Sequence, residues 1–239
     1  MNTINRVFLA VIIVAMLAAC GTTKVALNPE TTANINSIAL IRVTEPETYT
    51  GGDFGNAGMA FGAIGAAVAG SSSAKAGKSI NQIAIDKGVK AGERLTQALA
   101  NKLTDNGYNV TLTTASREKP TKLLSNYSTV DLNGAGAVLD VVIESIGYAT
   151  EHPITSPFWR PSSQIRVALV DSKSRKVIYS EKFMYGYHNP FMSGTDIDAP
   201  EQFRFKSKEA LFSDADKLAE GLIISIDAVT KEVAENLSK

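Results

Sequence analysis

The stretch that decides the fold is Ala137 to Tyr148, which reads AVLDVVIESIGY. Apolar residues alternate along it, so that Leu139, Val141 and Ile143 are expected to share one face of a β-strand. An alternating run of this length needs a sheet and a covering layer to bury its apolar face. The stretch therefore predicts a sheet built around this strand.

Four further runs have the same two-residue period. Residues 163–170 and 176–185 flank the turn DSKSR, which predicts a β-hairpin. The run SIALIRV (37–43) is expected to be an edge or half-buried strand, and YNVTLT (108–113) to be another strand. These runs predict one sheet of four to five strands, mostly antiparallel.

Two long segments have a helical period instead. Residues 80–106 carry Leu95, Leu99 and Leu103 four positions apart and end at Asn106-Gly107, a typical helix terminus. Residues 207–237 carry apolar side chains every three or four positions. The fold class is therefore predicted as α+β, with the helices over 86–106 and 207–237 packed on one face of the sheet.

Between the first strand and the first helix lies a glycine-rich insertion, residues 51–77. It contains no charged side chain from Phe54 to Ala74. Small residues recur at every fourth position within it, at Gly58, Gly62, Ala66 and Gly70. On a helix these would form a smooth face for close contact with a membrane or a partner. A flexible loop is the alternative, because glycine disfavours helices.

The first twenty residues, MNTINRVFLAVIIVAMLAAC, begin with a polar stretch containing Arg6 and continue as an apolar run. The run is shorter than the ~20 residues that a membrane span needs, and has the length of a signal-peptide core. It ends in Leu17-Ala18-Ala19-Cys20, which resembles the bacterial lipobox. The resemblance implies cleavage before Cys20, a diacylglycerol on its thiol and, usually, an acylated amine.

The predicted organisation is a signal peptide over 1–19, a tether over 20–34 and a single domain over 35–239. Gly21 follows the cysteine. By resemblance to enterobacterial sorting, a residue other than aspartate there implies the outer membrane and a domain facing the periplasm. The membrane is thus an expected partner, through the acylated Cys20.

Composition restricts the classes of function. Lysine plus arginine equal aspartate plus glutamate, at 24 each, and no long basic run occurs, so nucleic acid is not an expected partner. Cys20 is the single cysteine, which leaves no thiol for a disulfide, a thiolate metal site or a nucleophile once it is lipidated. We expect no cofactor.

The order of strands and helices also resembles a known exported module. The residues that carry the likeness are SIALIRV, AGERLTQALANKLTDNGYNV, GAVLDVVIESIGY and VALVDSKSRKVIYSEKF. They resemble the module shared by the TolB amino-terminal domain and the curli-secretion lipoprotein family. That resemblance implies an α+β domain of the cell envelope. The sequence shows no matching pair of alternating membrane hairpins, so the likeness does not extend to a pore.

Candidate catalytic groups are few. His152 and His188 lie in loops that contain proline and aromatic residues, and the two could meet as acid/base groups or metal ligands. No metal-binding spacing, nucleophile elbow or phosphate-binding loop accompanies them. Asp140 and Glu144 would stand roughly 13 Å apart on a strand, too far to act as a pair. We assign no catalytic and no metal-binding residue.

Two predicted loops, over 152–161 and 187–205, carry stiffening prolines beside aromatic side chains. Their aromatics are candidate contacts to a partner or a membrane: Phe158, Trp159, Tyr187 and Phe191. The alternative is that they cover the end of the core.

Together these features predict a non-catalytic envelope lipoprotein that acts in assembly, secretion or trafficking through contacts with another envelope protein. A lipid- or glycan-binding carrier is a second hypothesis. A hydrolase that uses His152 or His188 is a third.

Overall fold

The computed structural model describes residues 24–28, 34–52, 63–152, 156–186 and 193–238. The described residues form seven strands, four α-helices and one 3₁₀ turn. In chain order these are β1 (Ser37–Ile41), β2 (Thr50–Gly52), α1 (Ala63–Asp86), α2 (Ala91–Asp105), β3 (Asn109–Thr113), β4 (Ala137–His152), β5 (Ser156–Asp171), β6 (Val177–Tyr185), β7 (Thr195–Ile197), the 3₁₀ turn Glu201–Phe203, α3 (Lys208–Ser213) and α4 (Ala215–Asn236). The α+β class is confirmed.

The sheet is mixed, with the order β3-β1-β4-β5-β6-β7 and with β2 beside β4. The pairs β4–β5 and β5–β6 are antiparallel, whereas β1–β3, β1–β4, β2–β4 and β6–β7 are parallel. The prediction of four to five mostly antiparallel strands was therefore wrong in both number and direction. The predicted hairpin is confirmed as β5–β6.

The parallel pairs follow from what connects the strands. The chain leaves β1, crosses one face of the sheet as helices α1 and α2, and so returns to the same end before it forms β3. β1 lies between β3 and β4, and its residues Ile38 to Ile41 are fully buried on both faces. The expectation that this run forms an edge or half-buried strand was wrong.

The β4–β5 hairpin is longer than the sequence indicated. Residues 156–161, within the predicted loop 152–161, are strand, and Pro161 pairs with Tyr148. Trp159 exchanges both backbone hydrogen bonds with Phe205, on the side of β5 away from β4. The backbone nitrogen of Pro161 faces that same side. The pairing of β5 with β6 ends at Ser163, so the missing N–H of Pro161 costs no sheet hydrogen bond.

Helices α1, α2 and α4 pack on one face of the sheet and bury the main apolar core, as predicted for the two long helices. The first predicted helix is divided at residues 87–90, where Gly88 adopts a positive φ of 65°. The second is also divided. The Ser207 hydroxyl caps α3, and the Asp214 carboxylate caps α4 by accepting from the Lys217 N–H at 3.0 Å.

Glycines allow the backbone to approach closely where β2 meets its neighbours. A Cβ on Gly51 would lie 2.7 Å from the backbone of Ala76 and Gly77, and one on Gly147 would lie 1.8 Å from the Thr50 carbonyl oxygen. The two ends of the glycine-rich insertion are therefore in contact. Residues 63–77 of the insertion belong to helix α1, and residues 53–62 lie outside the described part of the chain.

A connection between β3 and β4 covers part of the other sheet face. Its residues Tyr127, Val130 and Ala135 pack on Ile41 and Val138 in a second, smaller core. Residues 120–130 of this connection form turns and irregular structure. This connection is held down by a buried charge on β4, described below.

Candidate functional site

The described chain begins at the edge of the sheet. The Val25 N–H donates to the Ser180 carbonyl oxygen, and the Val25 carbonyl oxygen accepts from the Ser180 N–H, both at 3.0 Å. The two residues run antiparallel, and Leu27 packs against the main core. We call residues 24–28, together with β6 and β7, the N-terminal edge. The sequence did not indicate that residues 24–28 would pair with this edge of the sheet.

A buried carboxylate on β6 fixes this segment. The side chain of Glu181 is 3% exposed, and its Oε1 accepts from Lys24 Nζ and from Thr195 Oγ1, each at 2.5 Å. The Tyr179 hydroxyl donates to Oε2 at 3.2 Å. Burial acts to raise the pKa of Glu181, but the hydrogen bonds from Lys24 and Thr195 outweigh it and lower the pKa below its ordinary value. The carboxylate therefore stays ionised and joins three segments of the chain.

A small cleft opens beside this carboxylate, between the N-terminal segment and Gly194. Its volume is about 20 Å³, which is enough for a water molecule and too small for an organic ligand. The residues that line it are mostly polar: Lys24, Arg166, Ser180, Glu181, Lys182, Ser193 and Gly194. The cleft therefore does not represent a substrate site.

The sheet face opposite the helices carries a second ionic cluster. Arg166 Nε donates to Glu144 Oε1 at 2.5 Å, and Lys182 Nζ donates to Oε2 at 2.7 Å. The three side chains are between 11% and 19% exposed. Two cations thus share one carboxylate, and the cluster joins β4, β5 and β6.

The far end of the β4–β5 hairpin has a third cluster. Arg160 contacts both Glu151 and Glu201, and Arg204 donates to Glu151 at 2.7 Å. The Arg204 guanidinium also lies 3.7 Å above the centre of the Phe158 ring, a cation–π contact. Phe158 is therefore half-buried under a charged group.

Asp140, on β4, is completely buried. It accepts from Arg117 at 2.5 Å, from the Leu124 N–H at 2.9 Å and from the Tyr127 hydroxyl at 3.0 Å. Asp140 and Glu144 do not act as a pair, because each contacts its own basic partner. Asp140 pins the β3–β4 connection to the sheet.

The outer surface of the helical layer has an open groove of about 480 Å³ between α2 and α4. Arg94 crosses it and donates to both carboxylate oxygens of Asp227, at 2.8 and 2.6 Å. Gln97, Asn101 and Ile223 line it as well. The groove is shallow, and its two basic and two acidic side chains balance in charge.

The predicted contact residues have different positions. Trp159 is 3% exposed in the main core, with Lys208 Nζ 5.2 Å from the centre of its ring. Ala66 and Gly70 lie in helix α1. Several predicted residues are outside the described part of the chain: Cys20, Gly58, Gly62, Tyr187, His188 and Phe191. His152 is the last residue of β4. The predicted roles of all these residues stay predictions.

The N-terminal edge was missed by sequence reasoning. A signal existed in KVALN (24–28), where apolar Val25 and Leu27 alternate with Lys24 and Asn28. Five residues are a short window, and no neighbouring turn marks them as a strand. The sequence did not indicate the ion pair of Glu181, because a single acid in a strand does not reveal its partners.

Two general features bear on the kind of site. Among the described residues, none of the helices combines the length and the apolar character needed to cross a bilayer. In the same part of the chain, no three His, Cys, Asp or Glu side chains converge as they would around a metal ion.

No family model matches the chain, and no curated protein matches it. Solved structures with a similar course include a PelC dodecamer from Paraburkholderia phytofirmans, 13% identical, with a TM-score of 0.39 over 91% of this chain and 96% of that one. Another is the protein XCC0632 from Xanthomonas campestris, 10% identical, with a TM-score of 0.43 over 91% of this chain and 92% of that one. Similarity at this level carries no conclusion about function.

Proposed function

We propose that this chain is a bacterial lipoprotein, anchored through Cys20 to the outer membrane and facing the periplasm. It acts there as a non-catalytic accessory in envelope assembly, secretion or trafficking, through contacts with another envelope protein. The observation that carries the proposal is the N-terminal edge. The chain is built into the sheet from Lys24 onward, four residues after the lipobox cysteine.

An attachment this short gives the anchor a mechanical role. Four residues span at most about 14 Å when fully extended. The domain would thus be held against the membrane surface, which raises its local concentration beside other membrane-bound proteins. A protein that acts by position gains directly from such an attachment.

The ion pairs of four acids in the sheet support a non-catalytic role. Asp140, Glu144, Glu151 and Glu181 each contact at least one arginine or lysine. A general acid or base needs a carboxyl group that can exchange a proton near neutral pH. Each of these four carboxylates instead joins separate segments of the fold through its ion pairs. The groove between α2 and α4 is our candidate surface for the protein partner.

The test combines palmitate labelling with crosslinking in cells. A photo-crosslinking residue at Gln97, in the groove, is expected to capture a discrete envelope protein. One at the exposed Lys119, on the opposite sheet face, serves as the matched control. Cys20→Ala is expected to abolish both palmitate incorporation and capture. A Cys20→Ala protein that still takes up palmitate would refute the anchor, and capture equal at both positions would refute the groove as the contact surface.

The glycine-rich insertion is tested in the same assay. Deletion of residues 53–74 keeps Gly51 and Gly77, whose contact closes the insertion. If the insertion forms part of the docking surface, the deleted protein is expected to incorporate palmitate normally and to lose the crosslinked partner. An unchanged crosslinking pattern would exclude the insertion from the contact.

The alternative function is a carrier of lipid or glycan, whose cargo would lie in this groove. About 480 Å³ lies in the range of small-molecule sites. A carrier would copurify with its cargo, which mass spectrometry of the gently extracted protein detects. Substituting Ile223 by a charged residue is expected to release such a cargo.

A further inference from the structure

We infer that the domain has a preferred orientation on the bilayer, in which the β6–β7 edge faces the lipid surface and the α2–β3 edge points away from it. The occupant of the β6–β7 edge is thus a lipid headgroup layer. This inference rests on the proposed lipidation of Cys20. It goes beyond that proposal because a lipid anchor alone leaves the orientation of a domain open.

The direction of the N-terminal segment comes first. Val25 pairs with Ser180 in antiparallel fashion, and Lys24 reaches Glu181, so the chain runs toward higher β6 numbers as it is followed back to the N-terminus. It therefore leaves the described domain beside Lys182 and Gly194, at the β7 end of the edge. The lipidated residue lies in that direction.

The segment is held by three separate kinds of contact. Val25 supplies two backbone hydrogen bonds, Lys24 supplies an ion pair to a buried acid, and Leu27 supplies an apolar contact with the core. The pivot of the attachment is therefore at Lys24. A pivot beyond residue 28 would have allowed the domain to turn freely.

The reach from this pivot is short compared with the domain. Cys20 lies at most about 14 Å from Lys24, whereas a domain of this size is about 40 Å across. The sheet alone extends four strand spacings from β6 to β3, roughly 19 Å. The anchor therefore keeps the β6–β7 edge close to the bilayer, and the opposite edge, where α2 packs on β1 and β3, lies farther from the anchor.

Charge does not explain the orientation. The edge carries Lys24 and Lys182, which are paired with Glu181 and Glu144, together with the exposed Asp196 of β7. A mixed edge is not drawn strongly to anionic lipids. The covalent geometry of the anchor sets the orientation, and it is therefore expected to be insensitive to salt.

The test uses the full lipidated protein in liposomes of phosphatidylethanolamine and phosphatidylglycerol. Lipidation turns the Cys20 sulfur into a thioether, so an introduced cysteine is the single free thiol. A fluorophore is attached at Ser193→Cys, on the N-terminal edge, or at Asn101→Cys, on the exposed face of α2. Lipids with a headgroup nitroxide then quench whichever label lies near the surface.

Quenching at position 193 is expected to exceed quenching at position 101 several-fold, at both low and high salt. Val25→Pro, which removes the N–H donated to Ser180, is expected to bring the two values together. Lys24→Ala serves as a milder second variant, with circular dichroism as the check on folding. Equal quenching in the unaltered chain, or stronger quenching at 101, would overturn the inference.

Flotation of the same samples with the liposomes, together with palmitate labelling, separates the two levels of the proposal. Protein that neither floats nor labels would overturn the lipid anchor, and the orientation with it. Protein that floats and labels but shows no contrast between the two positions would leave the anchor in place and refute the orientation alone.

Discussion

Lys24 and Glu181 are 157 residues apart in the sequence and form an ion pair of 2.5 Å at the sheet edge. The lysine side chain is 58% exposed, whereas the glutamate side chain is 3% exposed. The partners therefore differ in what they lose when the pair is broken. Lys24 returns to water, and Glu181 keeps a buried charge supported by Thr195 and Tyr179.

The lowered pKa of Glu181 predicts how stability depends on pH. Because the folded pKa lies below the ordinary value of 4.5, the contribution of Glu181 is fully present above that value and is lost as the pH falls through the folded pKa. Urea unfolding at neutral and at acidic pH measures this loss. We expect Glu181→Gln to lose less stability on acidification than the unaltered chain. An equal loss in both proteins would assign the acid sensitivity to other carboxylates.

The Asp140–Arg117 pair predicts a large cost for removing one partner. Asp140→Ala leaves Arg117, 4% exposed, without its carboxylate, and is expected to cost about 3–5 kcal/mol in the free energy of unfolding. Asp227→Ala is the matched control, since it breaks the half-exposed pair with Arg94 and should cost at most about 1 kcal/mol. Similar costs for the two variants in urea unfolding would contradict the buried pair.

The contact between Gly51 and Gly77 predicts opposite results for two identical substitutions. A Cβ on Gly51 meets backbone atoms at 2.7 Å, so Gly51→Ala is expected to cost about 1–3 kcal/mol through overpacking. A Cβ on Gly77 meets its nearest atoms at 3.4 Å, an ordinary contact, and alanine favours the helix by about 1 kcal/mol. The Tm measured by thermal unfolding should therefore fall for Gly51→Ala and should not fall for Gly77→Ala. A lower Tm for both variants would contradict this packing of β2 against helix α1.

The tyrosines predict an alkaline limit to stability. The pKa values of all six described tyrosines are raised, chiefly by burial, those of Tyr49 and Tyr185 to about 12. Raised folded values stabilise the protein below the ordinary pKa of 10, and the contribution is lost as the pH rises through the folded values. At about pH 10.5 the phenolate absorbance of the native protein should be far below that of the protein in urea. Equal absorbance would mean that the tyrosines are accessible to water.

Trp159, the single tryptophan, reports on the contact role predicted for the aromatic residues. Because it is 3% exposed, its fluorescence is expected to be blue-shifted and poorly quenched by acrylamide. Unfolding in urea should remove both properties. Ready quenching in the native protein would show that the indole is accessible to a partner.

The sequence predicted those elements whose apolar pattern is long and regular. β4, the β5–β6 hairpin and the helical layer all have a period that persists over eight residues or more, and all are confirmed. The direction of β1 and β3 was missed because it depends on the helices that cross between them. The strand around Pro161 was missed because proline disfavours strands except where its nitrogen faces no partner, and only the end of β6 creates such a place.

The candidate site was less predictable than the fold. Its decisive contacts, Lys24 with Glu181 and Arg117 with Asp140, join residues that are distant in the sequence or sit in an irregular connection. Periodicity identifies which face of a strand is buried, and it says nothing about which cation will meet an acid there. The short alternation in residues 24–28 could have suggested a strand, without indicating its neighbour.

The pairing of Val25 with Ser180 also has a consequence for the order of folding. A contact between residues so far apart in the sequence forms late in folding, because contacts between nearer residues must first order the chain between them. We predict that residues 24–28 are among the last to become fixed. In pulse-labelled hydrogen exchange during refolding, the Val25 N–H should gain protection after the N–H groups that join β4 to β5. Earlier protection of Val25 would reverse this order.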